Sequence, residues 1–368
     1  MVSKKSILIA SLVIGLSIGF KQGNAQTDST KKVSYSLLPV LVSDPFIGFG
    51  YGVLTNVNFL LGPIETTRFS NAQAYVINTT NGQFAAQFNH QIFTKNENWI
   101  WQGKLQYLNW PENTYGLGSN NKNEVATDKE NVAYKAIELE ERVLRKLKTH
   151  HFLGLQYRLY NCWDLKSDKK DTLSFFENNA IGTKQFTAST LGVHYIFDSR
   201  DNVQNAYKGK YLEVAINPYT KVLGSTQDWI NMRLDARYYY QFKTTLNLVF
   251  ANRIMVEQAL GDVPYMIMPQ TGRQFTTRGY VQGRYRGKLF LHYEAELRAH
   301  FWKFIGGVAF AGVNTLTEPN DEIKYINPNM GAGLRFNINK SQRTNIRIDY
   351  ALGLNNNSGL YFQICEVF

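Results

Sequence analysis

The sequence runs to 368 residues with a formal charge of +11, 44% hydrophobic and 14% aromatic residues, and a negative mean hydropathy. Beyond the N-terminal leader no run approaches the roughly twenty apolar residues that a membrane-crossing helix needs, which excludes a helical membrane protein. The two cysteines, Cys162 and Cys365, permit one disulfide in an oxidising compartment and are expected instead to be unpaired packing residues.

Lys4 and Lys5 open the chain, an uncharged, mostly apolar run follows from Ile7 to Phe20, and Lys21 precedes the small-residue site Gly23-Asn24-Ala25. That is the pattern of a secretory signal peptide, residues 1–25, cleaved after Ala25. No cysteine stands just after the cleavage site, so a lipid anchor is not expected. Bases outnumber acids, 40 to 29, and export directs that excess to lipid phosphates rather than to nucleic acid. Residues 26–45 read as a short periplasmic segment. Residues 46–368, which no Pro-, Gly- or Ser-rich linker interrupts, read as one domain.

From about residue 46 onward the apolar residues recur with period 2, and no stretch sustains a helical stripe. The first clear strand carries Gly48, Gly50 and Gly52 on one face and Phe49, Tyr51 and Val53 on the other. Gln83, Gln87, Asn89 and Gln91 then oppose Phe84, Phe88 and Ile92. Asn231, Arg233, Asp235 and Arg237 oppose Ile230, Met232, Leu234, Ala236 and Tyr238. The clearest case has His292, Glu294, Glu296 and Arg298 on one face and Leu291, Tyr293, Ala295, Leu297 and Ala299 on the other. Near the end, Asn345, Arg347 and Asp349 oppose Ile346, Ile348 and Tyr350. In an exported chain this implies a transmembrane antiparallel β-barrel whose apolar face meets lipid and whose charged face lines a wet lumen. A charge on the lipid face at the bilayer midplane costs about 2–4 kcal/mol, so charges kept to one parity are informative. Fifteen candidate strands are legible; a closed bacterial barrel takes an even number, so sixteen are expected, the missing one before residue 259. The polar segments 111–131, 164–183 and 259–287 are the long connections, expected outside the cell, and Trp99, Trp101 and the many tyrosines suit interfacial girdles.

Residues 270–288 contain Arg278-Gly279-Tyr280, then Gly283, Arg284, Tyr285, Arg286 and Gly287. Here the chain resembles the BamA/TamA-like bacterial surface antigen superfamily of outer-membrane barrels, whose sixth extracellular loop has an Arg-Gly-Phe/Tyr core followed by a Gly-x-Tyr/Phe-x-Gly variant. Asp198-Ser199-Arg200-Asp201-Asn202 followed by Lys208-Gly209 is similar to the family's Asp-x-Arg-Asp-Asn strand end and turn, and Trp110 to Gly118 to a loop of short members. Tyr361, Phe362 and Phe368 resemble the C-terminal signal read by barrel assembly machinery. Two departures stand out: about twenty residues separate Ala25 from the first strand, which matches a member without POTRA domains, and Phe310-Ala311-Gly312-Val313-Asn314 lacks the aspartate that usually receives the loop arginine.

The resemblance implies an extracellular loop folded into the lumen, with Arg278 paired to a wall carboxylate and Gly279 permitting a tight turn; by parity Glu294 and Glu296 are the candidate partners. The alternative is a solvated basic loop (Arg273, Arg278, Arg284, Arg286, Lys288) touching lipopolysaccharide phosphates. Gly48, Gly50 and Gly52 suit either a weak seam between first and last strands or relief of barrel curvature. No catalytic motif, metal spacing or phosphate loop is present, and His292 beside Glu294 on a lumen face is ordinary, so neither an enzyme nor a cofactor is expected. The function implied is membrane biogenesis, inserting or translocating protein or lipid, with partners among outer-membrane lipids and lipopolysaccharide, the assembly machinery, and a periplasmic or lipoprotein partner or a second copy. The alternatives are a passive pore or structural barrel and, more remotely, a barrel hydrolase.

Overall fold

The computed structural model describes residues 33–44, 47–118, 129–169, 184–272, 276–302, 304–317, 322–339 and 343–368. The expected signal peptide, residues 119–128 and 170–183 of the long connections, and Arg273 lie outside the described residues. The strands in chain order are β1 (Val33–Asp44), β2 (Gly48–Phe59), β3 (Ser70–Thr79), β4 (Phe84–Phe93), β5 (Trp99–Thr114), β6 (Glu130–Lys148), β7 (His151–Ser167) and β8 (Phe186–Asp198). They continue as β9 (Gly209–Tyr219), β10 (Trp229–Gln241), β11 (Val249–Gly261), β12 (Leu289–His300), β13 (Ile305–Leu316), β14 (Asn327–Asn339), β15 (Thr344–Gly353) and β16 (Ser358–Ile364). All pair antiparallel with their neighbours, and β1 meets β16 to close a sixteen-stranded barrel.

The strand missing from the sequence reading is β1, which runs through the segment expected to be periplasmic, so the barrel begins at Val33 rather than at residue 46. Its run Leu37-Leu38-Pro39-Val40-Leu41-Val42 is apolar on both parities and holds a proline, so it shows no period-2 contrast. A proline is tolerated on an edge-like strand. Gly48, Gly50 and Gly52 consequently sit on the second strand, one removed from the closure. A Cβ at Gly52 would lie 2.0 Å from the Val76 carbonyl oxygen, so this glycine lets β2 and β3 curl tightly.

Elsewhere the parity reading carries over on most strands; an exception is His90 and Glu141, which share the outer face with exposed Trp101, whose indole N–H donates to Glu141. On β12 Phe290, His292, Glu294, Glu296 and Arg298 are buried inside, while Tyr293 and Leu297 are exposed on the outer wall. Inner carboxylates and guanidinium groups neutralise one another, and the outer belt of Val, Leu, Ile and Tyr is left for lipid. Strands β6 and β7 have 19 and 17 residues, well past the roughly ten needed to span a bilayer, and so rise above the rest. The two longest connections join β7 to β8 and β11 to β12 at one end of the barrel, here the loop end; the start of β1 and the end of β16 lie at the opposite, turn end. Strand pairing runs deeper into both the 111–131 and 259–287 segments than expected, with Pro111 to Thr114 still in register with Ala133 to Glu130.

The closure is thin. Among the described residues β1 and β16 share one register pair, Ser43 with Phe362, whereas β1 pairs with β2 from Val33 to Asp44 and β15 with β16 from Ile346 to Leu352. β16 has only 7 residues, and the chain after it turns inward instead of continuing along β1.

Candidate functional site

The connection between β11 and β12 descends into the lumen from the loop end. Its first part is apolar: Val263, Tyr265, Met266 and Met268 pack on inward side chains of β6 to β11, among them Tyr134, Tyr160, Phe186, Tyr219 and Trp229. Tyr219 and Trp229 stack at 4.1 Å and 7°. These tyrosines face inward around the inserted chain and not the membrane interface, unlike Trp99 and Trp101, which are exposed on the outer wall. The second part is tightly coiled, with positive φ at Gly272, Thr277, Gly279 and Gly283. For a β-branched residue such as Thr277 that conformation is strained and needs surrounding contacts to hold it.

Those contacts centre on Arg278, which is 3% exposed. Its guanidinium donates to Glu294 at 2.6 Å, to Asp349 at 2.8 Å and to Glu296, and lies over the Phe310 ring at 3.5 Å. Both carboxylates expected from parity are partners. Asp349 on β15 is a third, missed because it lies 71 positions away, although its own strand showed it facing inward. The position where an aspartate was looked for on β13 is Gly312, where a Cβ would lie 2.9 Å from Asn329 Oδ1; the acidic charge comes from β12 and β15 instead. Four arginines, Arg278, Arg298, Arg335 and Arg347, meet four carboxylates, Glu294, Glu296, Asp349 and Glu366, in one buried network. Buried charge is tolerable only when paired in this way.

Gly279 follows with φ +101, and an added Cβ would meet the Leu352 backbone at 2.8 Å. Its N–H donates to Tyr361 Oη at 2.8 Å. The Tyr280 hydroxyl donates to the Pro328 carbonyl at 2.6 Å and accepts from the Leu354 N–H at 3.0 Å, with its ring over Gly353. Three consecutive residues thus hold β12, β14, β15 and β16, the strands leading to the closure.

Arg286 reaches the far wall. It is fully buried, donates to Glu112 on β5 at 2.7 Å and to the Tyr265 and Met266 carbonyls at 3.1 and 3.2 Å, and its own carbonyl accepts from the Gly118 N–H at 2.7 Å. Gly287 packs on β13, where a Cβ would lie 2.4 Å from the Thr317 carbonyl oxygen. Arg284 lies over Tyr115 at 4.6 Å and has no carboxylate partner among the described residues. The inserted chain is therefore a strut between nearly opposite walls, pinned by Arg278 and Arg286.

At the turn end the connection 199–208 crosses the mouth. Asp201 accepts from Arg343 at 2.7 Å and from the N–H groups of Tyr207 and Lys208; Arg343 lies over Tyr207, whose hydroxyl meets His300 Nε2 at 3.0 Å. Ala206 packs with Tyr239, Val367 and Phe368. The three residues of the C-terminal pattern separate: Tyr361 faces the strut, Phe362 lies in the closure, and Phe368 is buried inside the turn end. Cys162 belongs to the apolar cluster at the loop end and Cys365 to the C-terminal tail, and both are free. His292 stacks on Phe290 and bonds to no carboxylate among the described residues.

The sequence matches the model of the Omp85 superfamily domain over residues 49–368. Among solved structures the chain is similar to BamA from Haemophilus ducreyi lacking POTRA domains 1–3, at 10% identity and a TM-score of 0.60, covering 91% of this chain and 70% of that one. It is also similar to CdiB from Acinetobacter baumannii, at 10% identity and a TM-score of 0.58, covering 91% of this chain and 60% of that one. CdiB from Escherichia coli gives 7% identity, a TM-score of 0.58, and coverage of 91% and 62%. The chain thus spans about three fifths of the CdiB chains, and at these identities the likeness is one of fold. No curated protein matches the sequence.

Proposed function

The chain belongs to the Omp85 superfamily, and we propose that it serves outer-membrane biogenesis by inserting or translocating protein clients, with lipid as the other cargo class, through the barrel wall between β1 and β16 and without catalysis. The observation that carries this reading is the single register pair at the closure. A strand edge with unpaired N–H and C=O groups is a template for another strand, and in hydrocarbon such groups are costly to leave unmet. Among the described residues the edge of β1 from Val33 to Val42 has no register partner on β16, so it offers that template to an incoming segment. The strut supports the reading from inside: by gripping β12, β14, β15 and β16 it holds one side of the opening rigid, while among the described residues β1 pairs along its length with β2 and at one register position with β16.

A passive pore is the other reading, and filling of the lumen by the strut at one end and by the tail and the 199–208 connection at the other counts against it. The outer membrane is where this fold works, with loops outside the cell and turns toward the periplasm; residues 1–25 are proposed to be the export signal. Clients are proposed to arrive through a periplasmic or lipoprotein partner or a second copy of the chain.

The test is deletion of the gene followed by quantitative outer-membrane proteomics and a surface lipid assay. Selective loss of a few barrels or lipoproteins is expected. An unchanged inventory with altered solute permeability would replace this reading with the pore.

A further inference from the structure

On the outer wall at the turn end, a cleft of about 460 Å³ opens between the ends of β8, β9 and β10. Lys208, Lys210, Tyr238 and Tyr240 line it, with Phe197 and Gly209 at its floor. Gly209 is required there: φ is +108, and a Cβ would lie 2.3 Å from the Ser199 carbonyl oxygen. Both lysines are exposed, and neither has a carboxylate partner among the described residues; the Lys210 ammonium stands 5.8 Å from the Tyr238 ring centre. Tyr238 and Tyr240 are also exposed on the lipid side, at 41% and 50%.

The register shows what lies above. Lys210 pairs with Tyr238, then Leu212 with Ala236, Val214 with Leu234 and Ile216 with Met232, while Phe197, Tyr195 and Val193 flank this column from β8. Val193, Val214 and Ile216 are exposed, and no charged residue occurs in the outward column above Lys210. The outer wall thus changes over a few residues from two free ammonium groups, through tyrosine hydroxyls, to a continuous apolar track, with small Ala236 leaving a groove beside it. Aromatic rings settle at the headgroup level of a bilayer, and lysines near it attract anionic lipid.

We propose that this cleft is a binding site for an anionic phospholipid of the periplasmic leaflet, its phosphate held by Lys208 and Lys210, its glycerol region by the Tyr238 and Tyr240 hydroxyls, and its acyl chains laid along Val214, Ile216 and Val193. A zwitterionic lipid fits less well, because its own ammonium group competes with the two lysines. Placed on β8, β9 and β10, away from the closure, the site anchors that wall of the barrel in the leaflet.

The test uses the full folded chain in mixed micelles with phosphatidylglycerol or phosphatidylcholine, counting retained lipid by native mass spectrometry. Lys208→Gln and Lys210→Gln are each expected to weaken phosphatidylglycerol retention about fivefold, the worth of one lysine near an anionic surface. Lys221→Gln, at the loop end, is expected to change nothing, and all variants are expected to keep the heat-dependent gel shift of a folded barrel. Equal retention by wild type and the double variant would overturn the site, as would an equal loss with Lys221→Gln or equal retention of the two lipids by the wild type.

Discussion

Arg278 in the inserted strut and Phe368 at the chain terminus are joined through two side chains: Glu296 accepts from both Arg278 and Arg298, and Arg298 donates to the Phe368 carbonyl at 2.9 Å. The loop end and the turn end are thereby coupled through one buried network. Removing Arg278 leaves Glu294, Glu296 and Asp349 short of one positive charge. Breaking such a pair costs about 3–5 kcal/mol in a dry interior and less in a wet lumen. Arg278→Ala is expected to lower the heat-stable folded fraction on a gel far more than Arg284→Ala, whose guanidinium has only aromatic contacts among the described residues. Equal loss in the two variants would remove the network from the account of stability.

Gly279 tests the backbone part of the same grip. Alanine there meets both a left-handed conformation and the Leu352 backbone at 2.8 Å. Strain of this kind costs about 1–3 kcal/mol, and the chain relieves it by lifting the strut off β15. Gly279→Ala is expected to release the bond to Tyr361 and to make residues 276–288 accessible to protease in a barrel that still folds. Protease resistance equal to wild type would show that the strut tolerates a side chain at this position.

The opposite anchor is the pair Glu112 and Arg286, separated by 174 positions and 2.7 Å apart. If the strut needs both walls, Glu112→Gln and Arg286→Gln each loosen it, and the double variant is little worse than either single one, because the second change removes a charge already orphaned. Single-channel conductance in a planar bilayer is the measurement. A rise in both single variants, not doubled in the pair, is expected; strictly additive effects would mean the two side chains act apart.

Much of this was legible in the sequence because a membrane barrel writes its inside and outside into alternate residues. Glu294 and Glu296 were identified as partners of Arg278 from parity on β12 and from the resemblance of the loop motif, and Asp349 carried the same inward signal without any hint of which loop it would meet. What the pattern lost follows from the same physics. β1 borders the closure and has no sharply divided faces, so its apolar residues do not alternate. Arg286 stood out as part of the loop motif but without a partner, since nothing in the local sequence points to Glu112. The inward turn of Phe368 was hidden because a terminal aromatic residue reads alike on either wall.

The turn end should respond to acid. The Asp201 carboxyl is held below the usual aspartate range: burial works against this, but the hydrogen bond from Arg343 and the backbone N–H groups of Tyr207 and Lys208 outweigh it. A depressed folded-state value means that the contribution is fully present above the unfolded aspartate value of about 3.9 and is lost as pH falls through the folded value. Hydrogen exchange in residues 199–208 is therefore expected to speed up, beyond the intrinsic pH effect on exchange, as pH falls from about 4 to about 2. Asp201→Asn removes the titrating group while keeping an acceptor for the two N–H groups, so in that variant the protection is expected to be lower at the higher pH and nearly flat across the range. A wild-type profile as flat as that of Asp201→Asn would show that the Arg343 ion pair does not hold the connection across the mouth.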